Sequence, residues 1–338
     1  MNRKRMISVL AMMSMIAVTT IGCSSTPKAS QASSDTAGQA TASDVNWPKK
    51  AIQIICPFAP GGDTDFNART YAKYLSDELG ESVVIVSTDG NGGAVGARKA
   101  KDSANDGYSV LFSSSAFLTN ELSGAIDFGL DAFEFSCIAA GSPGNVVCVN
   151  KNMGVTNMKE LMEYSQAHPG LKLTANTGAT THAIALMLIE AGLNANIVDS
   201  GGSGDRIAGL LGGHVDVIVN SYGSVKDYID SGDFIALGLD SINPPKLITG
   251  IPTITEQGYD VAFPGYYFFA FPEGTDPAIV EKFTKAVEKI ALTNEDYAQD
   301  IKTAYFQTPV FYGGQEGLDK FAEARQLIER FEKQLKGN

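Results

Sequence analysis

An α/β protein, with parallel sheets wrapped by helices, is the fold this sequence predicts, and three features carry the prediction. Short apolar, β-branched segments alternate with stretches of helical spacing. Glycine-rich turns stand between strand and helix at residues 57–65, 89–96 and 176–182. Hydrophobic residues make up 44% of the 338-residue chain and glycines number 35, the balance of a globular protein with many tight turns.

Residues 1–22 read as targeting rather than fold. Arg3, Lys4 and Arg5 form a basic region, Met6 to Val18 an apolar run shorter than the ~20 residues needed to span a bilayer, and Gly22-Cys23 a small residue before cysteine. That order predicts a lipoprotein signal with Cys23 as the lipidated first residue. An ordinary cleaved signal is the alternative, since Thr20 stands where leucine is usual. Residues 23–46 carry almost no large apolar side chain and cannot bury enough surface to offset their conformational entropy. They are expected to form a flexible tether of roughly 25 Å r.m.s. span.

Strands are expected at 52–55, 83–86, 108–112, 145–149, 171–175, 196–198, 215–219, 234–239 and 267–271, with helices between them. Ala68, Ala72, Leu75 and Leu79 recur at helical spacing, and Gly80 follows as the C-terminal stop. Asp106-Gly107 and Gly212-Gly213 mark sharp turns into strands. Near the end Leu318, Phe321, Leu327, Ile328, Phe331 and Leu335 give one apolar face on a charged helix. About 290 residues from Trp47 onward is near the size where one core gives way to two. If there are two lobes, the chain crosses in the turn-rich passages 139–149 and 239–267.

The whole chain carries a net charge of −12, and without Arg3, Lys4 and Arg5 it keeps 23 basic residues against 38 acidic ones. Such a body repels nucleic acid and anionic lipid surfaces. An anionic guest is then held by local donors, not drawn in by overall charge. Past Cys23 the cysteines are Cys56, Cys137 and Cys148, an odd count with no Cys-x-x-Cys or Cys/His spacing. Buried apolar thiols are expected, not a disulfide framework. His168, His182 and His214 show no metal-ligand spacing, and no metal or cofactor is expected.

A buried strand that feeds a glycine-rich turn into a helix leaves backbone N–H groups free at the positive end of the helix dipole, a seat for an anion. In the first loop Gly61 and Gly62 allow close backbone approach, and Asp63, Thr64 or Asp65 can cap the helix that follows. In the second, Gly90, Gly92 and Gly96 are spaced as a loosened dinucleotide fingerprint, though an exported protein meets little NAD or ATP. The third, Asn176-Thr177-Gly178-Ala179-Thr180-Thr181-His182, offers hydroxyls, an amide and N–H groups. A helix N-terminus disfavours imidazolium, so His182 reads as a neutral donor or packing group, not a base. In a fourth turn, Gly201-Gly202-Ser203-Gly204 approaches a nucleophile elbow, but Asp205 stands where G-x-S-x-G needs glycine. An exported hydrolase using Ser203 with His182 is the competing class. Arg69 and Arg98 are counter-charges or solvated helix-face residues, and Tyr222, Tyr266 and Tyr267 are pocket walls or core.

Taken in order, Trp47-Pro48, the run from Pro57 to Asp65, Asn91-Gly92-Gly93, Asp106-Gly107-Tyr108, the stretch from Gly178 to His182, Leu210 to Asp216, Ile251 to Gly258 and Pro272-Glu273-Gly274-Thr275 resemble the substrate-binding proteins of tripartite tricarboxylate transporters, the TctC or Bug family. The resemblance implies a two-lobed periplasmic binding fold of type II, each lobe a mostly parallel sheet flanked by helices. Lobe 1 would hold residues 47–142 and 266–338, and lobe 2 residues 143–265. It implies a monomeric, extracytoplasmic binding protein, not an enzyme, that clamps a small organic carboxylate and delivers it to a two-component membrane permease. A receptor that reports to a signalling partner would use the same closure. The family's P-F-x-P-G-G-x-T-D loop falls on Pro57 to Asp65. Where many members carry Pro-Tyr-Lys-Gly this chain has Asp199-Ser200-Gly201-Gly202, which removes a bulky wall and a positive charge. The ligand-contacting set implied is Phe58, Ala59, Gly61, Gly62, Thr64 and Asp65 on the first loop and Asn91 and Gly92 on the second. To these it adds Ser114 and Ser115, the six residues Thr177, Gly178, Ala179, Thr180, Thr181 and His182, and beyond them Ser200, Gly201 and Asn220.

Overall fold

The computed structural model describes residues 45–337 apart from 243 and 245, so the signal segment, Cys23 and nearly all of the tether lie outside the described residues. A first sheet begins with β1 (Ile52–Cys56), α1 (Asp63–Leu79), β2 (Val83–Ser87), α2 (Ala94–Lys101), β3 (Ser109–Ser114), α3 (Ala116–Ser123) and β4 (Phe133–Gly141). The chain then crosses to a second sheet. This holds β5 (Asn145–Asn150), α4 (Met158–Ala167), β6 (Leu171–Ala175), α5 (Thr180–Glu190), β7 (Ala195–Asp199), α6 (Ser203–Leu211), β8 (Val217–Ser221), α7 (Tyr222–Asp230) and β9 (Phe234–Leu239). It returns to the first sheet with β10 (Tyr266–Pro272), α8 (Pro277–Thr293), α9 (Glu295–Tyr305), β11 (Pro309–Gly313), α10 (Gly314–Ile328) and α11 (Glu332–Leu335).

The spatial orders are β11-β4-β10-β3-β1-β2 and β7-β6-β8-β5-β9. β1 is parallel to β2 and β3, and β6 to β7 and β8, as the alternation of strand and helix predicts. The strands that carry the chain into each sheet are reversed: β10 runs against β3 and β4, and β5 against β8 and β9. The reason is geometric. The parallel strands of both sheets point their carboxyl ends at the gap between the sheets, so a strand arriving across that gap starts where its neighbours finish.

Each of the nine expected segments overlaps a strand, although β8 begins at Val217 where 215 was expected and β3 at Ser109 where 108 was expected. β4 and β11 were not expected. β4 places Glu134 and Ser136 among its apolar residues and ends in Ala-Ala-Gly, and β11 is a short, partly exposed edge. The C-terminal apolar face is also broken into two pieces. α10 stops at Ile328, and a turn at Glu329–Phe331 precedes α11.

On one face of the first sheet Phe112 and Phe269 pack on Tyr71, Phe283 and Tyr297. The other face shares a continuous apolar core with the second sheet, in which Phe117, Phe268 and Phe331 join Ile184, Leu188 and Val217. The two crossings are pinned by polar contacts. Asp240, fully buried just past β9, accepts from the main-chain N–H of Asn145 and, at 3.1 Å, from its Nδ2. Ser115 Oγ accepts from Tyr266 N and donates to Pro264 O, each at 2.9 Å. Among the described residues Cys56, Cys137 and Cys148 are buried and form no disulfide, and burial pushes the thiols of Cys56 and Cys137 up to about 12.

Candidate functional site

A cleft of about 580 Å³ opens between the two sets of strand carboxyl ends, where ligands bind in open α/β sheets. Three helices begin at its walls: α1 from the first sheet, and α5 and α6 from the second. Their N-cap residues are Gly62, Ala179 and Gly202, all in extended conformation and none supplying a side-chain cap. Ser, Thr, Asp or Asn at those positions would turn a side-chain oxygen onto the first N–H groups. Here those donors, and the positive ends of three helix dipoles, are left to the cleft.

The cation of the site is Arg206, a residue the sequence reading passed over. It lies in the first turns of α6, only 6% exposed, and lines the cleft. Nε donates to Asn220 Oδ1 at 2.7 Å and Nη1 to Gly201 O at 2.8 Å, while Nη2 has no partner among the described residues. Asn220 is itself fixed, its Nδ2 donating to Ser203 Oγ at 2.8 Å. Burial draws the guanidinium down to about 10, still cationic at neutral pH, against the opposing pull of Asp63, Asp205 and Asp199. Its positive charge thus stands close to the Gly201 position, where the family pattern has lysine. The signal was an arginine one helical turn before Leu210, on the apolar face of its own helix.

The two halves touch across the cleft. A Cβ on Gly92, whose φ is +63°, would lie 2.4 Å from Thr177 O and 2.7 Å from the Gly178 carbonyl carbon. Asn120 holds the same spot from the first sheet, donating Nδ2 to Gly92 O at 2.9 Å. Only glycine fits at this contact between the halves.

Phe58, Ala59, Gly61, Gly62, Thr64, Asn91, Gly92, Ser114, Ser115, Ala179, Thr180, Thr181 and Gly201 all line the cleft. Six expected residues do not. Asp65 turns under its loop, where Oδ2 accepts from Gly61 N at 3.1 Å and from Arg69 Nε at 2.8 Å. Thr177 and Gly178 form the wall pressed by Gly92. His182 is buried behind them, its Nδ1 accepting from Gly178 N at 3.3 Å, and desolvation holds the imidazole below its ordinary value. Ser200 Oγ is buried in its own loop, and Asn220 serves Arg206. Ser203 Oγ bonds Ser224 and Asn220, not His182, so the nucleophile and base of the hydrolase reading are not joined. Arg69 and Arg98 lie on solvated helix faces, paired with Asp65 and Asp127. Tyr266 and Tyr267 wall the cleft, whereas Tyr222 packs on Phe306.

The sequence reading also missed four acids of the wall: Asp63 as a lining residue, Asp89, Asp199 and Asp205. Asp199 and Asp205 are taken up by their own loop. Asp199 accepts from Thr177 N and Gly201 N, and Asp205 from Gly202 N.

Comparison with known proteins agrees with this architecture. The model of the family described as Tripartite tricarboxylate transporter family receptor, TctC, matches residues 67–331. Protein BugT of Bordetella pertussis is 30% identical over 274 residues, 78% of this chain and 84% of that one. A solved structure described as a periplasmic transporter superposes with a TM-score of 0.76 at 26% identity, covering 86% of this chain and 97% of the other. A protein of R. palustris solved with adipate superposes at 0.75 and 22% identity, covering 86% and 99%.

Proposed function

The chain belongs to the tripartite tricarboxylate transporter receptor family, and on that premise we propose that it closes two lobes on a small organic carboxylate and presents the closed form to a two-component membrane permease. The observation that carries this reading is the convergence of three helix N-termini whose N-cap residues supply no side-chain cap, and of one buried arginine, on a single cleft. A carboxylate leaving water needs several hydrogen bonds to offset its desolvation, and each charge-assisted bond contributes ~1.5–3 kcal/mol. Donors come from both sides, so only the closed form satisfies the guest, and binding shifts the population toward closure. The adipate held by the R. palustris protein of like fold supports the ligand class.

Lobe 1 is taken as residues 47–142 and 266–338 and lobe 2 as 143–265, a division supported by the passage of the chain between sheets after β4 and after β9. Cys23 and the tether would anchor the body near the membrane through lipid alone. Among the described residues no helix is long and apolar enough to cross a membrane. The body would act as a monomer and bind no nucleic acid.

A thermal-shift screen of mono-, di- and tricarboxylates tests the reading, followed by calorimetry on Thr64→Ala and Thr180→Ala. At least one acid should raise the melting temperature, and both variants should weaken its binding. No acid that binds, or unchanged affinity in both variants, counts against it.

A further inference from the structure

Resting on the carboxylate-receptor reading, we propose that the ligand is zwitterionic: Arg206 of the second lobe takes its carboxylate and Asp63 of the first lobe takes an ammonium group. The two charges line the same cleft from opposite sides, and neither has a partner of opposite sign within salt-bridge distance among the described residues.

Arg206 is more than nine-tenths buried and its bonds go to neutral acceptors, the Asn220 amide and the Gly201 carbonyl. A buried guanidinium left with neutral partners is costly, and a bidentate carboxylate is the group whose geometry matches its free edge. The nearby acids do not fill that role, because Asp199 and Asp205 accept from backbone N–H groups of their own loop.

Asp63 is the first residue of α1. One of its oxygens accepts from Tyr267 OH at 2.5 Å, and the other has no partner among the described residues. Asp63 and Arg206 line the same cleft, one from the start of α1 and the other from the first turns of α6. A second carboxylate set against the Asp63 side chain itself would meet a like charge. A guest with an ammonium group would neutralise Asp63 as its carboxylate neutralises Arg206, and like-charge rejection supplies the selectivity.

The test is calorimetry of the mature chain with L-α-amino acids, each set beside the acid of the same carbon skeleton without the amino group: L-alanine with propionate, L-aspartate with succinate, L-leucine with 4-methylpentanoate. In the pair that binds, the amino acid should bind at least about tenfold more tightly. Asp63→Asn should shrink that ratio to within about threefold while the deaminated acid binds no worse, and Arg206→Gln should cost both members about a hundredfold. Arg206→Lys, which keeps the charge and loses the fork, should recover part of the loss, and circular dichroism confirms that each variant folds. If the deaminated acids bind as tightly as the amino acids, the zwitterion proposal is overturned while the carboxylate receptor stands. If neither class binds, nor any acid of the wider screen, both readings fall. Full affinity in folded Arg206→Gln removes the arginine from the site and overturns the proposal as well.

Discussion

Helix α1 in the first lobe and α6 in the second begin alike, each after a diglycine, each with an aspartate at its third position and an arginine beyond. Asp65 and Asp205 do the same work, each bonding back to a glycine N–H, Gly61 in one loop and Gly202 in the other. The arginines do opposite work. Arg69 sits four residues after Asp65, on the same side of the helix, and turns outward to pair with it. Arg206 sits next to Asp205, about 100° round the helix, and is carried inward beside Leu210 into the cleft. Helical phase, not the kind of residue, decides whether a cation pairs within its loop or faces the cleft.

The largest effect expected is at the contact between the lobes, because it removes the closed state itself. Gly92→Ala would set a methyl carbon 2.4 Å from Thr177 O, and backbone on both sides leaves little room to yield. Ligand affinity should fall by about a hundredfold or more, and ligand-induced compaction in small-angle scattering should disappear. Gly124→Ala is the control. Its φ is +75° but a Cβ there meets nothing within 4 Å, so it carries the backbone strain without the clash. If Gly92→Ala binds as well as Gly124→Ala, the closing contact has no bearing on binding.

The two aspartates sharpen the comparison of the loops. Asp65 is 4% exposed and holds two donors, whereas Asp205 is exposed and holds one. Asp65→Asn should therefore weaken binding about tenfold, through a loosened first loop, and Asp205→Asn only about twofold. Equal losses in calorimetry would mean that burial is not what separates the two loops.

Between the lobes lies a smaller, pH-dependent term. Burial outweighs the two bonds from Asn145 and lifts the Asp240 carboxyl from its ordinary 3.8 to about 7. The folded state then holds this proton more tightly than the unfolded chain. The resulting stabilisation is complete below pH about 4 and is lost as pH rises through about 7. The unmodified protein should lose ~2–6 °C of melting temperature relative to Asp240→Asn between pH 5 and 8. A constant difference across that range would show that Asp240 does not titrate there.

What the sequence made legible follows the same division between local and tertiary causes. Strand, glycine turn and helix start are set within a dozen residues, which is why the loops at Gly61, Gly92 and Ala179 were found as cleft walls. Strand β4 was hidden because Glu134 and Ser136 interrupt its apolar run, although Phe133, Phe135 and Cys137 keep the period of two that marks a half-buried strand. Asp65, His182 and Asn220 were expected at the ligand and lie outside the lining of the cleft, since loop sequence shows which groups are present but not which way each turns. Arg206 was missed for the converse reason. Its partners, Asn220 and the Gly201 carbonyl, come from another strand and from the preceding loop, and only their meeting makes a buried cation tolerable.

The smallest effect expected is at Arg69, and its smallness is informative. Its side chain is 53% exposed, and among the described residues its one charged partner is Asp65 at 2.8 Å. Exposed ion pairs contribute ~0.2–1 kcal/mol, and solvent screens the guanidinium from the cleft. Asp65 keeps its bond from Gly61 N without it. Arg69→Ala should therefore change ligand affinity by no more than about twofold, with a slightly lower melting temperature that high salt reduces further toward zero. A loss as large as that of Arg206→Gln would mean that the outward arginine also reaches the guest, and the opposition between the two helices would dissolve.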